Sequence, residues 1–202
     1  MIQLLLRLVS TMGTIVTAGS VLWMSGQQPA RPVKVALLAL IVLAVLVTAV
    51  DIAKYRSMRP KRYPLNSPAI KTYMEEWLKS GGRAAVFSRD LSWATGGETA
   101  EVLKAKSRRG ELIVFAGRQT AELTGLAAEG AEVHNYAGFR FEPEARFTIV
   151  DYGKAGARLA IGFPEDGKHV IYEYSTANNH AIMALAGDLI ALARATAPRI
   201  EP

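Results

Sequence analysis

Between Glu144 and Asp151 the chain sets two carboxylates around one guanidinium: Glu144-Ala145-Arg146-Phe147-Thr148-Ile149-Val150-Asp151. Arg146 offers a fixed positive charge and a planar fork suited to phosphate or carboxylate. A second group, Arg89, Trp93 and Arg118, follows two apolar strand candidates, in Ser88-Arg89-Asp90-Leu91-Ser92-Trp93 and Gly117-Arg118-Gln119-Thr120. Open α/β sheets place ligands at that end of their strands. There the two arginines can grip an anion, the amides opening a helix near Thr120 can add to the grip, and Trp93 can stack on a base or sugar. Each residue also has a structural use. Asp90 can pair Arg89, Trp93 can fill a core edge, Thr120 can cap a helix, and Glu144 and Arg146 can be surface residues where a strand begins.

Nucleophilic and metal chemistry find less support. There is no cysteine, hence no thiolate ligand, thiol nucleophile or disulfide framework. His134, His169 and His180 show no i, i+4 pair and no surrounding acidic cluster, so structural or surface roles are expected of them and neither metal nor cofactor is expected. No phosphate-binding P-loop, Gly-x-Gly-x-x-Gly or Gly-x-Ser-x-Gly occurs, and Ser80-Gly81-Gly82 reads as a helix stop.

The elements that must position these residues lie in the C-terminal two thirds. Ser67 and Pro68 open a helix over 68–78 with Ile70, Tyr73, Met74, Trp77 and Leu78 at helical spacing. Strands are expected at 83–88, 111–116, 131–136, 146–152, 158–163 and 169–174, and helices at 97–107, 119–129 and 179–196. Strand-helix-strand-helix-strand, then a run of strands and a closing helix, predicts an α/β domain with a mixed sheet over residues 69–202.

Ahead of it stand two apolar runs, residues 4–24 and 33–50, interrupted only by Arg7 and Lys34 and joined by a short Gly- and Pro-bearing linker. Each is about the length that crosses roughly 30 Å of hydrocarbon, so residues 1–53 are expected to form a transmembrane hairpin. A signal peptide would need a basic segment ahead of the first run and no second span, and neither condition holds. Ser10, Gly13, Thr14 and Thr17 share a face suited to close helix contact or, in an oligomer, to lining a pore. Lys54, Arg56, Arg59, Lys61 and Arg62 follow within a Pro-rich connector, residues 54–68. By the positive-inside rule they place the domain in the cytoplasm, giving a two-pass inner- or plasma-membrane protein with both termini cytoplasmic. Net charge is +2 over 1–53 (three bases, one acid), +6 over 54–83 (eight bases, two acids) and −2 over 84–202 (thirteen bases, fifteen acids). The basic balance therefore belongs to the collar, where membrane lipids with anionic headgroups are the expected partner and nucleic acid is not.

Gly130-Ala131-Glu132-Val133-His134-Asn135-Tyr136, then Arg146 to Asp151, then Ala160-Ile161-Gly162, resembles one half of a phospholipase D superfamily fold. In that family a Gly-x-Glu-Val strand precedes a His-x-Lys-x4-Asp motif and a strand ending in Gly. The resemblance implies that Glu144 stands at the nucleophilic histidine position, Arg146 at the lysine and Asp151 at the aspartate. A carboxylate facing a phosphodiester meets it as anion against anion, so the implied domain binds an anion without cleaving it. Because family halves pair, a homo-oligomer is implied too. The reading that results is a membrane-anchored, non-catalytic sensor or effector, of a stress or defence response, with Arg89, Trp93, Arg118, Glu144, Arg146 and Asp151 as ligand-binding residues. The alternatives are a membrane-bound phosphodiesterase or nuclease with an unusual site, and a membrane scaffold for a protein partner.

Overall fold

The structure, a computed structural model, describes residues 13, 16, 17, 20, 31–57, 59–139, 143–144 and 146–201. Two compact units divide the chain, Met1–Arg59 and Pro60–Pro202. In the first lies helix α1 (Arg31–Ser57), whose Val35, Leu38, Leu40, Leu43 and Leu46 are all more than half exposed.

The expected membrane hairpin is not found: among the described residues no helix is long and apolar enough to cross a membrane. The first apolar run lies outside the described residues except at Gly13, Val16, Thr17 and Ser20. The second falls within α1, where Lys34 and Asp51 bracket a charge-free stretch, 35–50, of 16 residues. At about 1.5 Å of rise per residue that stretch spans about 24 Å, short of roughly 30 Å of hydrocarbon. With the hairpin goes the two-pass inner- or plasma-membrane placement that rested on it. Two of the collar cations also have other employment. Lys61 and Arg62 belong to strand β1 (Lys61–Pro64), where Lys61 pairs Glu173 at 2.5 Å and Arg62 reaches Glu165 at 3.5 Å.

In the second unit, β2 (Ala84–Ser88) and β3 (Leu112–Ala116) are apolar throughout apart from Ser88 and buried at every residue, as strands covered on both faces must be. Helices α3 (Gly97–Arg108) and α4 (Ala121–Ala128) carry the chain from β2 to β3 and from β3 to β4 (Glu132–Asn135), and the three strands run parallel. Strands β5 (Arg146–Val150), β6 (Arg158–Glu165) and β7 (Lys168–Ser175) form an antiparallel meander. Its β6–β7 turn is Asp166-Gly167, both at positive φ (49° and 70°), the two-residue geometry that matches strand twist. The whole is a mixed seven-stranded sheet in the order β1-β7-β6-β5-β2-β3-β4. Strand β1 lies where the prolines predict only a connector, and its place at the sheet edge is where Pro64 is tolerated.

Helix α2 (Pro68–Lys79), with α3 and α4, covers one face over Val86, Val114, Val133, Val150, Ala160 and Ile171. Helix α5 (His180–Thr196) covers the other over Phe87, Phe115, Phe147, Ile149 and Leu159. The α2 contacts matter most for the site. Trp77 is 7 % exposed and its Nε1 donates to the Thr148 carbonyl at 3.2 Å, while the Arg158 guanidinium sits 5.1 Å from the Trp77 ring. Tyr73 donates to Glu173 at 3.0 Å, and burial together with that carboxylate pushes its phenol pKa up, so it remains a donor. Trp77→Ala removes a buried ring and its hydrogen bond at once; chemical denaturation is expected to show a loss of about 3–5 kcal/mol.

Candidate functional site

The β2–β5 register decides which sequence clusters meet. Ala84 pairs Val150 and Phe87 pairs Phe147, so the next step sets Arg146 beside Ser88 at the carboxyl end of β2. There the chain turns through Arg89 into a short 3-10 turn, Ser92–Ala94, that carries Trp93. Leu91 makes the turn with φ 56°, a conformation unfavourable to a branched side chain, and is held in it by being 1 % exposed in the core. Between this turn, the first turns of α2 and the surface of β5, β6 and β7 lies a cavity of about 650 Å³. Lys71, Arg89, Arg146 and His169 line it, with Trp93 beside them, and among its described lining residues there is no carboxylate.

Arg146 heads the cavity floor. Its Nε is enclosed, and among the described residues it has no hydrogen-bond partner. Across the sheet its register partner is Gly162, over which the His169 ring lies: a Cβ on Gly162 would stand 2.7 Å from His169 Nε2 and 3.0 Å from Cε1. Burial first, and the neighbouring Arg146 charge second, hold the His169 pKa below its ordinary value. Lys71 crosses from α2 to donate to the Thr95 and Gly96 carbonyls, both at 3.0 Å, and so ties the helix to the loop after the 3-10 turn. Arg89 pairs Asp90 at 3.3 Å. Burial opposes the Asp90 charge, yet the Ser92 amide and hydroxyl and the Arg89 guanidinium hold its pKa below the usual carboxylate range.

Three of the six residues singled out in the sequence, Arg89, Trp93 and Arg146, are thus brought to one cavity. The other three are not. Arg118 is exposed and away from the lining; only its backbone joins the site, its amide and that of Gly117 donating to the Arg89 carbonyl at 3.0 and 2.9 Å. Glu144 lies exposed at a bend ahead of β5, outside the lining. Asp151 follows the far end of β5, five residues from Arg146 and hence about 16 Å along the strand. There it accepts the Gly82 amide at 2.9 Å and stands 3.9 Å from Lys154, closing the turn between α2 and β2. Thr120 caps α4 by accepting the Leu123 amide.

Lys71 is not singled out in the sequence, His169 is expected there to be structural or at the surface, and Gly162 enters only through the resemblance, because what brings them together joins residues far apart in the chain. A glycine that must lie under another strand's side chain carries no local mark. The other histidines have structural surroundings, as expected for His134, which bridges the Ala197 carbonyl (3.1 Å) and Glu132 (2.9 Å), with Arg194 bidentate on Glu132 at 2.6 Å. His180 is exposed at the start of α5. Among the described residues no three His, Asp or Glu side chains gather as a metal site.

Three cations around a cavity without carboxylates among its described lining residues favour an anion, and the volume of about 650 Å³, with Trp93 in the lining, leaves room for a small organic group as well. Among the described lining residues no carboxylic acid stands ready to protonate a leaving group. No protein-family model matches the chain, and no curated protein matches it. The phospholipase D-like reading therefore stands on the residues that suggested it.

Two outcomes follow from this geometry. Asp151→Ala is expected to lower unfolding stability by about 1–3 kcal/mol through the orphaned Gly82 amide while leaving affinity for anions unchanged in a phosphate titration. His169, kept neutral in the folded chain below its ordinary pKa of 6.5, takes up a proton more readily when unfolded. Its contribution to stability is therefore full above that pH and is lost as pH falls through and below it, a slope that His169→Gln is expected to flatten in denaturation curves taken at pH values from about 5 to 8.

Proposed function

We propose that the Pro60–Pro202 unit is a recognition domain that holds a phosphate-bearing anion in the Arg146 cavity and does not cleave it. The observation that carries this reading is the enclosed Arg146 Nε, without a hydrogen-bond partner among the described residues, on the floor of a cavity with three fixed cations and no described carboxylate. Enclosing a polar group unpaired costs about 1–3 kcal/mol, and more for a charged one, a cost that an anionic ligand offsets when it binds. In the phospholipase D-like interpretation the same arrangement follows from two replacements. Arg146 at the lysine position keeps the anion grip, while Glu144 at the histidine position supplies no imidazole nucleophile and lies exposed outside the cavity. Trp93 in the same lining favours a ligand with a planar or apolar group attached to its phosphate.

The full chain, titrated with inorganic phosphate, nucleotides and short single-stranded nucleic acids, is expected to gain thermal stability from one phosphate-bearing class. At a hundredfold excess over Kd the gain is about 2.7 kcal/mol, several degrees in Tm, and Arg146→Ala is expected to abolish it. Indifference to the whole panel overturns the reading. Hydrolysis of a generic phosphodiester that disappears in Arg146→Ala replaces it with an enzyme.

A further inference from the structure

The His169–Gly162–Arg146 arrangement specifies more than a positive cavity. We propose that it is a two-donor subsite for the dianionic phosphoryl end of a phosphomonoester, taken up together with one proton; the proposal rests on the anion-binding reading above and names its ligand class. Two observations carry it. The His169 ring is set over the one residue of β6 that leaves it room, since a Cβ on Gly162 would stand 2.7 Å from Nε2. Gly162 is also the register partner of Arg146, so an imidazole and an enclosed guanidinium Nε approach the same patch of floor from the two strands that flank β6.

Within the described residues no hydrogen bond occupies Arg146 Nε, and no carboxylate among the described lining residues competes for it or for the His169 ring. The charged and titratable groups around His169 are few. Arg146 comes from β5, Lys71 from α2 and Arg89 from the turn after β2, all lining the same cavity, and Tyr63 is its register partner on β1. On this face β6 contributes Ala160, Gly162 and Pro164 to the cavity and, further along, Arg158, which is engaged by Ser80 and the Trp77 ring. Along β7 the next acid, Glu173, is four residues further and already engaged by Lys61 and Tyr73. In this company a neutral imidazole lacks an anion to stabilise its proton. A phosphoryl dianion provides one, and because its second pKa is about 6 it titrates in the same range as the imidazole. The proton comes from solvent and rests on His169 Nε2, where it donates to a phosphoryl oxygen while the Arg146 fork holds the others. A diester carries one negative charge, has no titration in this range and offers the imidazole a weaker acceptor.

The test is calorimetric titration of the full chain, wild type and three variants, between pH 7 and 8. The probes are phenyl phosphate and inorganic phosphate as dianions and dimethyl phosphate as a diester. Adenosine 5′-monophosphate and a short-chain phosphatidic acid tell a nucleotide source from a lipid source of the same phosphoryl end. Wild type is expected to prefer the monoesters to dimethyl phosphate at least tenfold and to bind them about tenfold tighter per pH unit of acidification, the slope for one coupled proton. His169→Gln is expected to keep residual binding and lose that slope. Gly162→Ala does the same by displacing the ring end of a side chain rather than backbone, which guards against a folding artefact in the first variant. Equal affinity for dimethyl phosphate, or an unchanged pH slope in both variants while Arg146→Ala still abolishes binding, overturns the phosphomonoester assignment and leaves the anion-binding reading in place. No binding of any phosphate probe overturns both.

Discussion

The antiparallel pairing of β5 against β2 is the constraint on which the rest of this molecule depends. It joins a parallel half, β2, β3 and β4, to an antiparallel half, β5, β6, β7 and β1, in one sheet. The pairing is bound by backbone ladder bonds and by the stacked rings of Phe87 and Phe147, 5.1 Å apart and 9° from parallel. Its register is not negotiable, because a shift of one residue would turn Phe147 and Ile149 away from the α5 face and drive Arg146 and Thr148 into it. With that register fixed, Arg146 arrives at the carboxyl end of β2, where the chain leaves the sheet through Arg89 and Trp93. A site thereby forms between two segments that sequence separates by more than fifty residues.

Packing above the sheet completes the site. Trp77 and Tyr73 anchor the middle and end of α2 on β5 and β7, and Lys71 links its second turn to the loop after the 3-10 turn. The cavity lies between the first residues of this helix and the sheet, lined by Pro68, Ile70, Lys71 and Met74 on the helix side. Gly162 deepens the floor by the width of a missing Cβ, which is the space the His169 ring uses. Apolar burial positions the polar groups, of which Lys71 and Arg89 are engaged by neighbours while Arg146 Nε has no hydrogen-bond partner among the described residues. Among the described residues Arg83 Nε and Glu165 Oε2 are buried without a partner as well, and of the three only Arg146 lines this cavity.

Much of the fold is legible in the sequence because periodicity and punctuation are local. Gly-ended helices, apolar runs such as Leu112 to Phe115 and the alternation of β5 to β7 give six strands and four helices at close to their observed positions. Strand β1 is not legible, since Pro60, Pro64 and Pro68 read as a connector and edge pairing to β7 is a long-range fact. The membrane hairpin is not found among the described residues, where the charge-free part of the second run, 35–50, is 16 residues. Half of the candidate site is legible, as Arg89, Trp93 and Arg146 each follow or open an apolar strand. Asp151 lies away from this cavity, since motif spacing along a strand does not tell which end of it faces the cavity. His169 and Gly162 are named in the sequence but not as partners of Arg146, because only the register brings them beside it.

Anomalous diffraction from crystals of the full chain soaked in tungstate, a heavy oxyanion of phosphate-like shape and charge, tests the central claim most directly. The account predicts a peak within hydrogen-bonding distance of the Arg146 guanidinium, over Gly162 and beside the His169 ring. Tungstate found on surface cations such as Arg118 or Lys104, with nothing at Arg146, would contradict it.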